Sequence, residues 1–267
     1  MLFRSVALTF NPHPARFFSP DLAPPLINTE EQKLEIMASC GLDAVVVEPF
    51  DADLAGLTPE DFVGRVLVER LGVRHVVVGK NFLFGKKRAG DLATLQQLGD
   101  ERGYTAHGMD IVNVQSMPAR STKVREFLLM GRVIGAAVLM GREYSVEGRV
   151  VRGKGRGRTI GIPTANIHMD NEILPRRGVY AGRARHPDGR VIDAVINIGT
   201  NPTFEKAAIL SFEVHLLDFS GDLYGERLVV SFAQRLRDER RFASVDELVE
   251  AIHEDITVAR EILSQSV

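Results

Sequence analysis

The chain has no tryptophan, only four tyrosines and a single cysteine, Cys40, among its 267 residues. One thiol excludes an internal disulfide and fits a reducing compartment, and a lone cysteine of this kind reads as a small core side chain. The shortage of stacking aromatics leaves little apparatus for binding single-stranded nucleic acid. An excess of charge is missing too: 33 Lys and Arg face 35 Asp and Glu, for a net charge of −2. No broad electrostatic field therefore points toward nucleic acid or an anionic membrane, and any phosphate recognition must come from local basic clusters. No apolar run approaches the roughly 18 residues that a membrane span needs. Met1-Leu2-Phe3-Arg4 leads into a strand-like stretch instead of a signal-peptide core. A cytoplasmic protein without a nucleic-acid or membrane partner is expected. Internal repeats and low-complexity tracts are absent as well.

What is present divides in two, as the length suggests at roughly 100–200 residues per domain. In the first half, Ser5 to Phe10, Ala44 to Val47 and His75 to Gly79 read as strands with helices between them. Thr29-Glu30-Glu31-Gln32 has the form of a capping box before a helix that stops at Gly41. Thr58-Pro59 starts another that stops at Gly72. Alternating strands and helices predict a parallel, Rossmann-like sheet. Two helical pieces, Ser121 to Met130 and Arg132 to Met140, follow as a connection. From Tyr144 to Phe232 the pattern changes to alternation, with Ile192, Ala194, Ile196 and Ile198 on one strand face and Leu210, Phe212, Val214 and Leu216 on another. Strands of this kind separated by glycine-containing turns predict a small antiparallel barrel or sandwich. A C-terminal helix opens at Ser244 with Glu247 in a capping box and carries Leu248, Ile252, Ile256 and Ile262 as its apolar stripe. The domain boundary is expected at 140–144, giving domains 1–140 and 141–267.

Three motifs in the second half carry chemistry. Gly153-Lys154-Gly155-Arg156-Gly157-Arg158 interleaves glycines, which let backbone N–H groups approach an anion, with cations that neutralise phosphate; Gly161 follows. The same composition also suits a basic hairpin loop. Pro163-Thr164-Ala165-Asn166 offers a hydroxyl and an amide carbonyl, neutral oxygens of the kind magnesium accepts while keeping several waters, although a plain proline turn has the same residues. In Ser211-Phe212-Glu213-Val214-His215-Leu216, alternation puts Ser211, Glu213 and His215 on the face opposite the apolar residues. Glu213 is thus presented as a general base for an alcohol or, alternatively, as a solvated strand carboxylate, and His215 as a ligand-side or supporting group.

The chain resembles the bacterial bifunctional riboflavin kinase/FAD synthetase family. The resemblance is carried by the run Arg156 to Asn166, Leu174-Pro175 with Gly178-Val179-Tyr180-Ala181, Asn197-Ile198-Gly199 with Pro202-Thr203-Phe204, Glu213-Val214-His215-Leu216, and Leu236-Arg237-Asp238-Glu239 with Phe242. It implies a small antiparallel barrel using riboflavin, ATP and Mg2+, with Thr164 and Asn166 at the metal and nucleotide, Glu213 as base, and the segment from Arg237 to Phe242 over the flavin. FMN would be the product.

The first half resembles the same family's adenylyltransferase domain through Leu8 to Pro14, Gly79-Lys80-Asn81-Phe82-Leu83-Phe84-Gly85 and Ser121-Thr122-Lys123-Val124-Arg125. The family's histidine-containing first loop has no counterpart in the 267 residues, and Arg120 replaces a small hydroxyl residue before Ser121. The expectation is an incomplete nucleotidyltransferase domain with impaired FAD synthesis and residual ligand contacts at Asn81, Ser121 and Arg125. Two alternatives stand beside it: a fully bifunctional enzyme if the natural start lies upstream, and a non-catalytic flavin-binding regulator. Oligomeric state is not legible in the sequence.

Overall fold

The computed structural model describes residues 4–153, 155, 157, 160–201 and 209–265. The chain divides into two compact units, residues 1–24 with 30–113, and residues 25–29 with 114–267.

The first unit is built of strand-helix-strand crossovers. β1 (Val6–Asn11), α1 (Pro14–Phe18), α2 (Glu30–Ser39) and β2 (Ala44–Pro49) lead through α3 (Ala52–Gly56) and α4 (Pro59–Asp61) to β3 (His75–Gly79), α5 (Leu92–Arg102) and β4 (Thr105–Met109). β1 pairs with β2 and β3 with β4, both in parallel, as a helical crossover requires. Among the described residues these remain two separate two-stranded sheets. They share one core: Leu8 and Phe10 of β1 and Val76 and Val78 of β3 pack around Phe62, Val63, Val66 and Leu67. The helix start predicted at Thr58 is present, with the Thr58 hydroxyl accepting from the Asp61 N–H at 3.1 Å and Pro59 in the first turn. Beyond Asp61 the winding widens over Phe62–Arg70, where the Leu71 N–H reaches back five residues to the Val66 carbonyl. α2 begins at the residue after Thr29, where the sequence placed the helix start, and the Thr29 hydroxyl donates to Glu147 of the second unit, to which residues 25–29 belong. Cys40, expected in the core, is exposed just past the end of α2, where helix termination turns it to solvent.

After a short hairpin of β5 (Asn113–Val114) and β6 (Met117–Pro118), the second unit continues with α6 (Ser121–Leu129) and α7 (Val133–Met140). Its strands are β7 (Tyr144–Val151), β8 (Ala165–Met169), β9 (Gly178–Arg185), β10 (Val191–Asn201), β11 (Ile209–Leu216) and β12 (Arg227–Arg237). They close into a barrel in the order β10-β11-β8-β7-β12-β9, with β9 returning to β10, so no edge strand is left open. The alternation seen in sequence is realised: Ala194, Ile196, Ile198, Phe212, Val214 and Leu216 point into the barrel. At its centre Phe232 is fully buried, edge-on to Tyr180 at 5.4 Å between ring centroids and in contact with Tyr144 and Phe212. The Tyr144 hydroxyl donates to the Ile173 carbonyl at 2.7 Å, and burial pushes its pKa far above the usual phenol value. The helical pair α6–α7 belongs to this core through Phe127, Leu128, Val133 and Ala136. Residues 25–29 are tied to the same unit, with Ile27 packed on the core and the Leu26 N–H donating to Glu172 at 2.8 Å.

The last helix, α8 (Val245–Ser264), packs outside β9, β10 and β12. Its cap is as predicted at Ser244, whose hydroxyl accepts from the Glu247 N–H at 3.1 Å, while the Glu247 carboxylate reaches back to the Ala243 N–H at 2.9 Å. The fully buried line is Ala251, Asp255, Ala259 and Leu263, and the expected stripe flanks it, with Ile256 and Ile262 packed against the same core and Leu248 and Ile252 lining a cleft. A carboxylate holds the middle of the packed face because it has a cationic partner, and apolar periodicity does not count such a residue.

Truncating Phe232 to alanine should cost about 3–5 kcal/mol, since the aromatic cage around it cannot collapse into the space. Chemical denaturation followed by circular dichroism should show the barrel unit's transition moving to lower denaturant. A loss below about 1 kcal/mol would contradict this packing account.

Candidate active site

The site grows out of one strand pair. β11 runs antiparallel to β8 with Glu213 opposite Asn166 and Val214 opposite Ala165, and antiparallel to β10 with Glu213 opposite Asn197. Because inward residues alternate with outward ones, fixing Phe212 and Val214 inside the barrel forces Glu213 and His215 onto its outer face. Thr164 lies one residue before β8, and its hydroxyl donates to Glu213 Oε2 at 3.5 Å. With its proton directed that way, Thr164 Oγ1 keeps lone pairs for another group. His215 Nδ1 lies 2.7 Å from the Pro163 carbonyl. Thr164, Asn166, Asn197, Glu213 and His215 thus line one wall of a cleft of about 790 Å³.

The glycine-rich segment borders the same cleft. Gly153 passes so close to Asn166 that a Cβ there would stand 2.2 Å from the carboxamide nitrogen, so a side chain at 153 would push the Asn166 carboxamide out of place. Gly157 accepts at its carbonyl from the Ile162 N–H at 2.8 Å, and a Cβ at Gly157 would meet the Ile162 carbonyl at 2.3 Å. Gly155 and Gly161 both adopt positive φ, at 68° and 77°, conformations open to glycine at little cost. The sequence-predicted cations Lys154, Arg156 and Arg158 lie outside the described residues, as do Thr159 and residues 202–208.

The opposite rim is built by the turn between β12 and α8. Arg237 is gripped by Asp255, which accepts from its Nε at 2.9 Å and its Nη2 at 2.7 Å. Its Nη1 donates to the Asp238 carbonyl at 3.2 Å. The guanidinium lies 5.6 Å from the Phe242 ring, and Arg240 lies 4.9 Å from the same ring. With these donors occupied, Arg237 acts as the brace that sets Phe242 and the rim against α8. Glu239 reaches across to accept from the Thr200 N–H at 3.4 Å, passing over Gly199, where a Cβ would clash at 2.5 Å. Val179, Val195, Leu248 and Ile252 supply the apolar part of the lining.

The remaining predicted residues stand apart from this cleft. Asn81 lies in the turn after β3 in the first unit. Ser121 opens α6, exposed, and Arg125 on α6 donates from Nε to the Pro25 carbonyl at 2.7 Å. Burial holds the Arg125 pKa below its ordinary value, with Glu172 opposing. Sequence reasoning gave Asn197 and Glu239 no role of their own and missed Asp255. Asn197 was detectable as part of the Asn-Ile-Gly motif, on the strand face opposite Ile196 and Ile198, whereas Asp255 required knowing which carboxylate on α8 meets Arg237.

Among the described residues no group of three or more His, Cys, Asp or Glu side chains is placed to hold a metal. The oxygen donors that do converge, Thr164, Asn166 and Glu213, are mostly neutral. That suits a divalent cation which arrives with its charge already balanced by phosphate and keeps part of its water shell.

Comparison with known proteins gives two family matches, riboflavin kinase over residues 140–263 and FAD synthetase over residues 2–123. A bifunctional riboflavin kinase/FMN adenylyltransferase from Pseudomonas fluorescens is 38% identical over 98% of this chain and 84% of its own length. The Escherichia coli (strain K12) protein of the same name is 38% identical over 96% of this chain and 82% of its own length. The Bacillus subtilis (strain 168) one is 36% identical over 93% and 79%. A crystal structure of a Streptococcus pneumoniae protein described as a macrolide-efflux protein superposes with a TM-score of 0.85 at 28% identity, over 97% of this chain and 84% of that one. No described helix of the present chain is long and apolar enough to cross a membrane.

Asp255→Ala should destabilise the second unit by about 1.5–3 kcal/mol, the range for hydrogen bonds to charged groups, because Arg237 loses its carboxylate. Exposed Glu254→Ala on the same helix should stay within about 0.5 kcal/mol. Equal effects of the two in chemical denaturation would contradict the bracing role.

Proposed function

This chain belongs to the bacterial bifunctional riboflavin kinase/FMN adenylyltransferase family, and from that premise we propose that its barrel cleft transfers the γ-phosphoryl group of ATP to a riboflavin hydroxyl, giving FMN. The observation that carries the reading is the convergence of Thr164, Asn166 and Glu213 at the β8–β11 pairing, with Thr164 Oγ1 3.5 Å from the Glu213 carboxylate. Phosphoryl transfer asks a protein mainly for alignment and for neutralisation of charge on the transferring group. Glycines 153, 155, 157 and 161 let backbone N–H groups approach the phosphates, with Lys154, Arg156 and Arg158 of the same segment as neutralising cations.

Thr164 and Asn166 would hold Mg2+, which when bound neutralises the phosphate charge. Glu213 accepts the proton of the flavin hydroxyl as its oxygen bonds to the γ-phosphorus and the bond to the bridging oxygen breaks, releasing ADP, and it gives that proton to water afterwards. The flavin ring lies against the apolar lining and Phe242, on the rim that Arg237 braces. Pro163 shapes the turn that presents Thr164.

We assign this reaction to residues 141–267 and the adenylyl transfer that converts FMN to FAD to residues 1–140, where Asn81, Ser121 and Arg125 are the candidate ligand contacts. The FAD synthetase match over residues 2–123 and the paired activities in the relatives' names support both reactions. The expected impairment of FAD synthesis gains no support from either. A purely regulatory flavin-binding protein has no use for a carboxylate beside a set of oxygen donors at a phosphate-binding segment, so that alternative is the weaker one. A cytoplasmic location is part of the same proposal.

Glu213→Gln keeps the size of the side chain and removes the base. FMN formation from riboflavin and MgATP should fall by about 10²–10⁴-fold in kcat, while riboflavin binding followed by flavin fluorescence stays near that of the unmodified chain. Turnover close to normal in the variant would sink the assignment.

A further inference from the structure

The ladder between β8 and β11 pairs Glu213 with Asn166 and Val214 with Ala165, and it ends there. Continued by one step it would place His215 opposite Thr164, and by another it would reach Pro163, which has no N–H to donate. The strand pairing therefore stops just short of Thr164, the residue whose hydroxyl must be held near Glu213. At this gap the His215 ring comes within 2.7 Å of the Pro163 carbonyl. A carbonyl oxygen only accepts, so Nδ1 must carry the proton. That assignment is the same for the neutral and the protonated ring.

We propose that His215 is a positioning residue for the phosphoryl transfer: its side chain replaces the missing ladder bond and fixes the Pro163-Thr164 peptide, and through it Thr164 Oγ1, against Glu213. This rests on the kinase reading given above. Three observations converge on it. The hydrogen bond bridges 52 positions of sequence, so local turn geometry does not produce it. His215 and Glu213 project from the same face of β11, so the clasp and the carboxylate share one rigid strand. Gly157 lies near the other side of the hydroxyl, where a Cβ would stand 3.3 Å from Thr164 Oγ1, so the glycine segment adjoins the group that the clasp positions. The consequence should fall on the nucleotide side of the reaction, because Thr164 lies in the cleft wall beside Gly157 of the glycine-rich segment.

Asparagine provides the discriminating variant. Its Nδ2 stands the same number of bonds from Cα as the histidine Nδ1 and also donates, whereas leucine fills similar space without a donor. In steady-state FMN formation by the full chain, His215→Leu should lose on the order of tenfold in kcat/KM for MgATP, as expected for one net hydrogen bond. Its KM for riboflavin should stay within about twofold, and His215→Asn should recover to within about threefold of the unmodified chain. A role in stability alone would lower the active fraction without moving KM for ATP selectively. Should His215→Leu fail to fold, His215→Gln, whose amide sits one bond too far out, takes its place with the same ATP-selective loss expected. If the unmodified chain makes FMN and His215→Leu matches it in kcat/KM for MgATP, or His215→Asn is no better than His215→Leu, the positioning role is overturned and the kinase reading survives. If the unmodified chain makes no FMN, both fall together.

Discussion

The antiparallel pairing of β8 with β11 is the constraint on which the rest of the site depends. It places Asn166 across from Glu213 and brings the preceding Thr164 to within 3.5 Å of the carboxylate. Neither strand is free to slip, because a shift of one residue would turn Phe212 and Val214 out of the barrel and Glu213 into it. Barrel closure makes that cost collective: β11 is held by β10 on its other side, and β10 by β9. The apolar interior thus does more than supply stability. It sets the register that holds a carboxylate, a hydroxyl and a carboxamide at one place on the outer wall.

A second layer acts on the rim. The Arg237–Asp255 pair joins the end of β12 to the middle of α8, and Phe242 lies beside the guanidinium. Burying Asp255 in the packed face of a helix is costly unless its charge is matched, and the bidentate contact from Arg237 supplies the match. The aromatic group of Tyr144, Tyr180, Phe212 and Phe232 inside the barrel gives both layers a stiff support. The glycine-rich segment between β7 and β8 follows a different logic, since Gly153 and Gly157 leave room for close backbone approach where any side chain would displace Asn166 or the Ile162 carbonyl. Rigid strands carry the reacting groups, and the glycines beside them let backbone come close.

Much of this was legible in the sequence for physical reasons. Strand alternation has a period of two, so the outward direction of Glu213 and His215 followed from the apolar residues between them, and the caps at Thr58 and Ser244 were readable from their side chains. Features that depend on distant partners were not. The closure of β12 onto β9 joins segments far apart in sequence. Asp255 looks like a solvent-facing acid until Arg237 is seen beside it, so the apolar stripe of α8 was legible while the carboxylate at the centre of its packed face was not. The helix start after Thr29 was readable from its local residues, whereas the bond from the Thr29 hydroxyl to Glu147, more than a hundred residues away, was not. In the first unit, parallel pairing was predictable from strand-helix alternation, while the division into two separate sheets was not.

The central claim is that the groups gathered by the β8–β11 register direct the terminal phosphoryl group of ATP onto a flavin alcohol. It is tested most directly by incubating the 267-residue chain with riboflavin, Mg2+ and ATP labelled at the γ-phosphorus, then separating the flavins. The label should appear in FMN, with unlabelled ADP formed in equal amount. Label confined to ATP and inorganic phosphate, with riboflavin unchanged, would contradict the account.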